Sequence, residues 1–257
     1  MTNAIEQGFV DYTISENGIA TITFGHPLSN SLPGKILQKL ADTIEKVGKD
    51  ETAKVIILQS TGDKAFCAGA SFDELTRIQN DAEGLRFFSG FAKVINACRT
   101  SKKFIIGQVQ GKAVGGGVGV ASSVDICYAS DEAAIKLSEL AVGIGPFVVG
   151  PAVERKIGLS AMSELAINAT EWKSAEWAHN RGLYAETFDN QEALENAVNA
   201  LAHRLAKSSP EAMEALKKTL WEGTEDWDTL LMERAAISGR LVLSEFTRNA
   251  IASFKAK

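Results

Sequence analysis

The sequence predicts a mixed α/β fold that ends in helices, and three observations carry that prediction. Short β-branched runs alternate with stretches of helical spacing. Two strand-to-helix junctions, Lys64–Ala70 and Gly111–Gly117, are built from small residues. From residue 198 to 257 the chain shows helical periodicity throughout.

The elements follow in order. Tyr12–Phe24 alternates around Asn17-Gly18, which predicts a hairpin ended by Gly25-His26-Pro27. After Asn30-Ser31-Leu32-Pro33, the spacing of Ile36, Leu37, Leu40, Ile44 and Val47 predicts a helix. Val55–Leu58 reads as a short buried strand with a turn at Gly62-Asp63. A helix is expected to start at Ser71, with Asp73 and Glu74 as first-turn acids. Residues 77–99 read as mostly helical, with Phe87, Phe88, Phe91, Val94 and Ile95 on one face.

Phe104–Val109 is strand-like and is expected to lead straight into the triple glycine. Asp125–Ala129 and Ala134–Leu137 read as further strands. Ser138–Pro146 is rich in breakers and carries one acid, Glu139, so it reads as a shaped loop. Helices follow from Ala152 onwards. One has Leu194, Val198, Leu201 and Leu205 on a face, one is capped by Ser209 with Pro210 at its first position, and one covers 229–254.

Composition excludes several classes. At 257 residues and net charge −5, with scattered basic residues, the chain has no basic block for nucleic acid. No apolar run reaches membrane-spanning length, and no signal peptide is visible. Cys67, Cys98 and Cys127 lack metal-ligand spacing and suit burial in a reducing compartment, so a cytoplasmic, metal-free protein is expected. His26, His179 and His203 stand far apart in sequence and suggest no catalytic pairing.

The chemistry concentrates at Gly111–Asp125. A strand, a glycine turn and a helix start leave backbone N–H groups aimed at one spot, with a partial positive charge from the helix N-terminus. Such a spot suits a phosphate or an enolate oxygen. The dinucleotide pattern Gly-x-Gly-x-x-Gly does not fit, because the sixth position is Val120 counted from Gly115 and Ser122 counted from Gly117. An oxyanion hole and plain close packing of strand on helix both remain open on the glycines alone.

Several segments together resemble the crotonase superfamily, the enoyl-CoA hydratase/isomerase group. They are Asn30-Ser31-Leu32, Ala65-Phe66-Cys67-Ala68-Gly69-Ala70, Gly111-Lys112-Ala113-Val114-Gly115-Gly116-Gly117 with Asp125 downstream, Gly182-Leu183, and Phe254-x-x-Lys257. The resemblance spans nearly the whole chain. It implies a crotonase-like spiral of ββα units over 1–197 and a C-terminal helical trimerisation region over 198–257. It implies a homotrimer or a dimer of trimers, an acyl-CoA substrate, and no cofactor beyond the coenzyme A that the substrate carries.

The resemblance also assigns roles. The amides of Ala70 and Gly116 would form the oxyanion hole, and Glu139 would be the general acid/base. Ala68, Ser31 and Lys257 would contact substrate or its coenzyme A. Asp125 is read as structural, and Cys67 as a buried apolar residue. One departure matters: family hydratases carry a first glutamate where this chain has Gly119. A single later glutamate is the arrangement of the family's double-bond isomerases, although some water-adding members also keep only one. Decarboxylation, thioester hydrolysis and a non-catalytic acyl-CoA-binding subunit are the alternatives.

Overall fold

Two sheets share the work of holding this chain together. The protein is seen in a computed structural model, which describes residues 7–255. Strands β1 (Phe9–Ile14) and β2 (Ile19–Gly25) form the expected hairpin, with Gly18 at φ +81° in its turn. Helix α1 (Gly34–Lys49) buries Ile36, Leu37, Leu40, Ile44 and Val47 on one face, as their spacing requires.

Three ββα units follow. The first is β3 (Val55–Ser60), β4 (Ala65–Cys67), the single turn α2 (Phe72–Leu75) and α3 (Asp81–Thr100). The second is β5 (Phe104–Val109), β6 (Lys112–Val114) and α4 (Gly116–Ser123). The third is β7 (Ile126–Ser130), β8 (Ile135–Lys136) and α5 (Gly150–Ile167). Each unit adds one strand to each sheet. The larger sheet runs β1-β2-β3-β5-β7-β9, with β9 at Glu186–Phe188, and the smaller runs β4-β6-β8, all parallel. The chain therefore adopts the expected spiral of ββα units.

Beyond the spiral lie α6 (Ala175–Asn180), α7 (Gln191–Leu205), α8 (Pro210–Leu220), α9 (Trp227–Leu241) and α10 (Glu245–Lys255). Residues 197 and 198, where the two expected regions meet, both lie in α7. Its Leu194, Val198 and Ala202 pack with Ile19, Val55, Ile57 and Ile106 in a second core on the large sheet. Helix α9 runs along α3 so closely that a Cβ on Gly84 would lie 2.6 Å from the Gly239 Cα. An ion pair ties α8 to the spiral. Lys217 Nζ is 2.9 Å from Asp125 Oδ2 and also donates to the carbonyls of Cys98 and Lys103. Asp125 accepts from the Ile105 amide and from Trp221 Nε1, so it is a structural hub, as read from the sequence.

Four sequence expectations are corrected. The helix expected over 77–99 starts at Asp81, because Asn80 caps it: Asn80 Oδ1 accepts from the Glu83 amide while Glu83 Oε2 accepts from the Gln79 amide. The triple glycine does not follow β5 directly, since β6 intervenes. The strand expected over 134–137 shrinks to Ile135–Lys136. The helix expected over 229–254 breaks between Leu241 and Glu245, where Ser244 Oγ accepts from the Thr247 amide.

Candidate active site

The smaller sheet explains why three distant segments meet. Strands β4, β6 and β8 are parallel neighbours, so the loops leaving them emerge at one edge. Ligand sites in open α/β sheets form at such carboxyl ends. Here the three loops carry Ala68–Ala70, Gly115–Gly117 and Ser138–Glu139.

Local chemistry fixes each loop. Asn30, at φ +56°, donates to the carbonyls of Thr61 and Ala65 and accepts from the His26 amide, which clamps the turn before β4. Leu32 bridges Ala70, and its amide donates to the Gly69 carbonyl at 2.7 Å. Ser71 then caps α2 as expected, accepting from the Glu74 amide. Gly115 holds φ +53° at the N-terminus of α4, a backbone state that side-chain-bearing residues rarely adopt.

The consequence is two free donors. Among the described residues, neither the Ala70 amide nor the Gly116 amide donates to a protein acceptor. Both residues line one cleft, and a Cβ on Gly69 would lie 3.5 Å from the Gly116 nitrogen, which measures how closely the two loops approach. Helix α4 is buried over its whole length, so its N-terminal partial charge acts where little solvent screens it.

Glu139 faces the same cleft. The residue is half-buried, but its Oε2 is shut away from solvent and has no hydrogen-bond partner among the described residues. The carboxyl rests on Gly115, where a Cβ would lie 2.9 Å from Oε1. Burial pushes its pKa from 4.5 up to about 7, opposed in part by a hydrogen bond from its own amide. Phe72, Phe88, Phe91 and Phe147 supply aromatic walls around a cavity of about 80 Å³. Of the aromatic residues that the sequence offered as walls, Phe87 faces elsewhere, into a groove beside α1.

The remaining sequence candidates divide. Ala68 sits where the cleft meets a second groove lined by Lys64, Lys112 and Trp172. Over the Trp172 ring stand Lys136 Nζ at 4.5 Å and Lys112 Nζ at 5.3 Å from the centroid. Ser31 is buried behind the loops, with its Oγ 3.4 Å from His26 Nδ1, a proximity that the spacing of the histidines gave no sign of. Lys257 lies outside the described residues. Cys67 is buried, and its thiol is pushed up to about 12 by desolvation. No metal-ligand cluster occurs among the described residues, and none of their helices is long and apolar enough to cross a membrane.

A parallel-sheet spiral whose loop amides and one desolvated carboxyl face an aromatic cleft defines a crotonase-type enzyme. A family model for enoyl-CoA hydratase/isomerase matches residues 14–249, and the chain belongs to that family. It is 29% identical to the short-chain-enoyl-CoA hydratase of Clostridium acetobutylicum over 93% of this chain and 92% of that protein. It is 26% identical to the trans-2-decenoyl-(acyl-carrier-protein) isomerase of Streptococcus mutans over 85% of each. The fold matches a crystal structure of enoyl-CoA hydratase from Bacillus halodurans with a TM-score of 0.88. That match covers 95% of this chain and 99% of the other, at 22% identity.

Proposed function

We propose that this enzyme moves the double bond of an enoyl-CoA thioester, with Glu139 as the only acid/base. The observation that carries the proposal is one desolvated carboxyl in a cleft that also presents two unengaged amides. In a 3-enoyl thioester, the carboxylate takes a proton from C2. The C–H electron pair becomes the C1=C2 π bond of a dienolate, and the C1=O π pair moves onto the thioester oxygen, which becomes negative between the Ala70 and Gly116 amides. The carboxyl then returns the proton to C4, leaving a 2-enoyl thioester with no atom gained or lost. Each oxyanion donor of this kind is worth about 2.7–4 kcal/mol in the transition state. A base with pKa about 7 is half-ionised at neutral pH and serves in both directions.

The acyl chain fits the aromatic cleft, and the coenzyme A nucleotide fits the adjoining groove. There Lys64 and Lys112, the latter held over the Trp172 ring, offer positive charge. Exposed Leu216, Leu220 and Phe246 on the C-terminal helices support self-association, as a trimer or a dimer of trimers. Hydration of a 2-enoyl thioester at the same site is the second reading, favoured by the name of the Clostridium relative.

The test is a side-by-side assay in heavy water with a 2-enoyl-CoA and a 3-enoyl-CoA, on wild type and Glu139→Gln. Absorbance follows double-bond position and mass follows added water. Conversion of the 3-enoyl substrate alone, abolished by the substitution, is the expected result. Water addition as the main reaction supports the second reading, and a fully active Glu139→Gln refutes both.

A further inference from the structure

We infer that Val149 determines the specificity of this site, by occupying the space that a second acid would need. The inference rests on the isomerase reading above and explains why hydration is absent from it. Gly115 caps helix α4, and the Gly119 amide donates to the Gly115 carbonyl at 3.3 Å, so the two positions lie one turn apart. At these two positions the structure places two different groups. The Glu139 carboxyl covers Gly115, and the Val149 isopropyl covers Gly119. A Cβ on Gly119 would lie 2.7 Å from Val149 Cβ and would overlap its Cγ1.

Val149 is not free to withdraw. Its carbonyl accepts from the Val153 amide at 3.1 Å, and the next residue's amide donates to the Pro146 carbonyl at 2.8 Å, which fixes the backbone at the start of α5. Its side chain is 4% exposed and lines the cleft. Any side chain at 119 is therefore excluded by packing. The wall one turn along α4 from Glu139 is dry hydrocarbon, as a consequence. Adding water across C2=C3 puts hydroxyl on C3 and hydrogen on C2, and it requires a water molecule held for attack. One acceptor, Glu139, has to hold that water and move its proton. Shuttling a proton from C2 to C4 asks for no second group.

The experiment compares wild type, Gly119→Glu, Val149→Gly and Gly119→Glu/Val149→Gly, with Gly119→Asp/Val149→Gly as a shorter-acid version. Each is assayed for hydration and isomerisation, and each is melted. Gly119→Glu alone is expected to melt lower than wild type and gain no hydration. A double variant is expected to recover the melting temperature relative to Gly119→Glu and to raise the hydration-to-isomerisation ratio at least tenfold. Two results overturn the inference: Gly119→Glu alone hydrating at an unchanged melting temperature, or both double variants isomerising with an unchanged ratio. The melting comparison also separates the two layers. Wild type converting neither substrate sinks the isomerase reading, and the specificity assignment with it, even where the melting temperatures still show Val149 packed on residue 119.

Discussion

Glu139→Gln should stabilise the protein in alkaline solution while abolishing its activity. The carboxyl pKa is 4.5 in an ordinary setting and about 7 in the fold. A group whose folded pKa is raised binds its proton more tightly in the native state. Its favourable contribution is complete below pH 4.5 and is lost as the pH rises through 7. Above pH 7 the native state carries a desolvated charge, and at 1.36 kcal/mol per pH unit the whole cost is about 3 kcal/mol. Linkage at pH 5 leaves under about 1 kcal/mol of that cost, so the advantage of the neutral glutamine should grow by about 2–3 kcal/mol between pH 5 and pH 8. Urea unfolding of both proteins at the two pH values measures it, and all other titrations cancel in the difference. In the same pH range, wild-type kcat/KM should fall tenfold per pH unit below about 7 as the base is protonated. An advantage for glutamine that is equal at pH 5 and pH 8 would refute the desolvated carboxyl.

Three further outcomes are expected. Lys217→Met leaves Asp125 charged and without its cation at a site where both side chains are at most 5% exposed. It should cost about 3–5 kcal/mol in urea unfolding, and Lys217→Met/Asp125→Asn should return part of that. Asn30→Ala removes the clamp on the carbonyls of Thr61 and Ala65 and puts alanine at φ +56°. A loss of about 2–4 kcal/mol is expected, with a lower kcat through the displaced Ala68–Ala70 loop; unchanged stability would show that the clamp is dispensable. All three thiols are raised by burial, Cys98 to about 11 and the other two to about 12. At pH 8 the native protein should resist an aromatic disulfide reagent and release three equivalents only when unfolded, so rapid labelling of the native form contradicts the burial.

What the sequence made legible is what short-range physics controls. Asn17-Gly18 marks the hairpin because the turn needs positive φ, which Gly18 adopts at +81°. Ser71 and Ser209 mark helix starts because their hydroxyls accept from the Glu74 and Ala212 amides. The face of α1 was readable from its period alone. Strands β6 and β9 were not. Three residues carry no period, and these strands exist because neighbouring strands complete their hydrogen bonds. Asn80 was missed as a cap because a helical pattern continues on both sides of it. A contact such as Val149 on Gly119 is tertiary, and nothing in one chain's spacing encodes it.

The triple glycine shows how that limit operates. On sequence it suited either an anion site or close packing, and in the structure close packing is what turns two amides toward a cleft. Gly115 takes a positive φ and lies under the Glu139 carboxyl. On Gly116 a Cβ would overlap the Phe91 ring, and on Gly117 it would lie 2.8 Å from Cys67 Cβ and overlap the Cys67 carbonyl oxygen. Each glycine thus yields to a different neighbour: the loop after β8, helix α3, and strand β4. Close packing brings those three elements onto the start of α4, and their approach leaves the Ala70 and Gly116 amides facing one cleft. A substitution at Gly117 therefore acts on the site through the Cys67–Ala70 loop, although Gly117 itself is buried behind the cleft. Residues that bring no side chain to the chemistry position the groups that do.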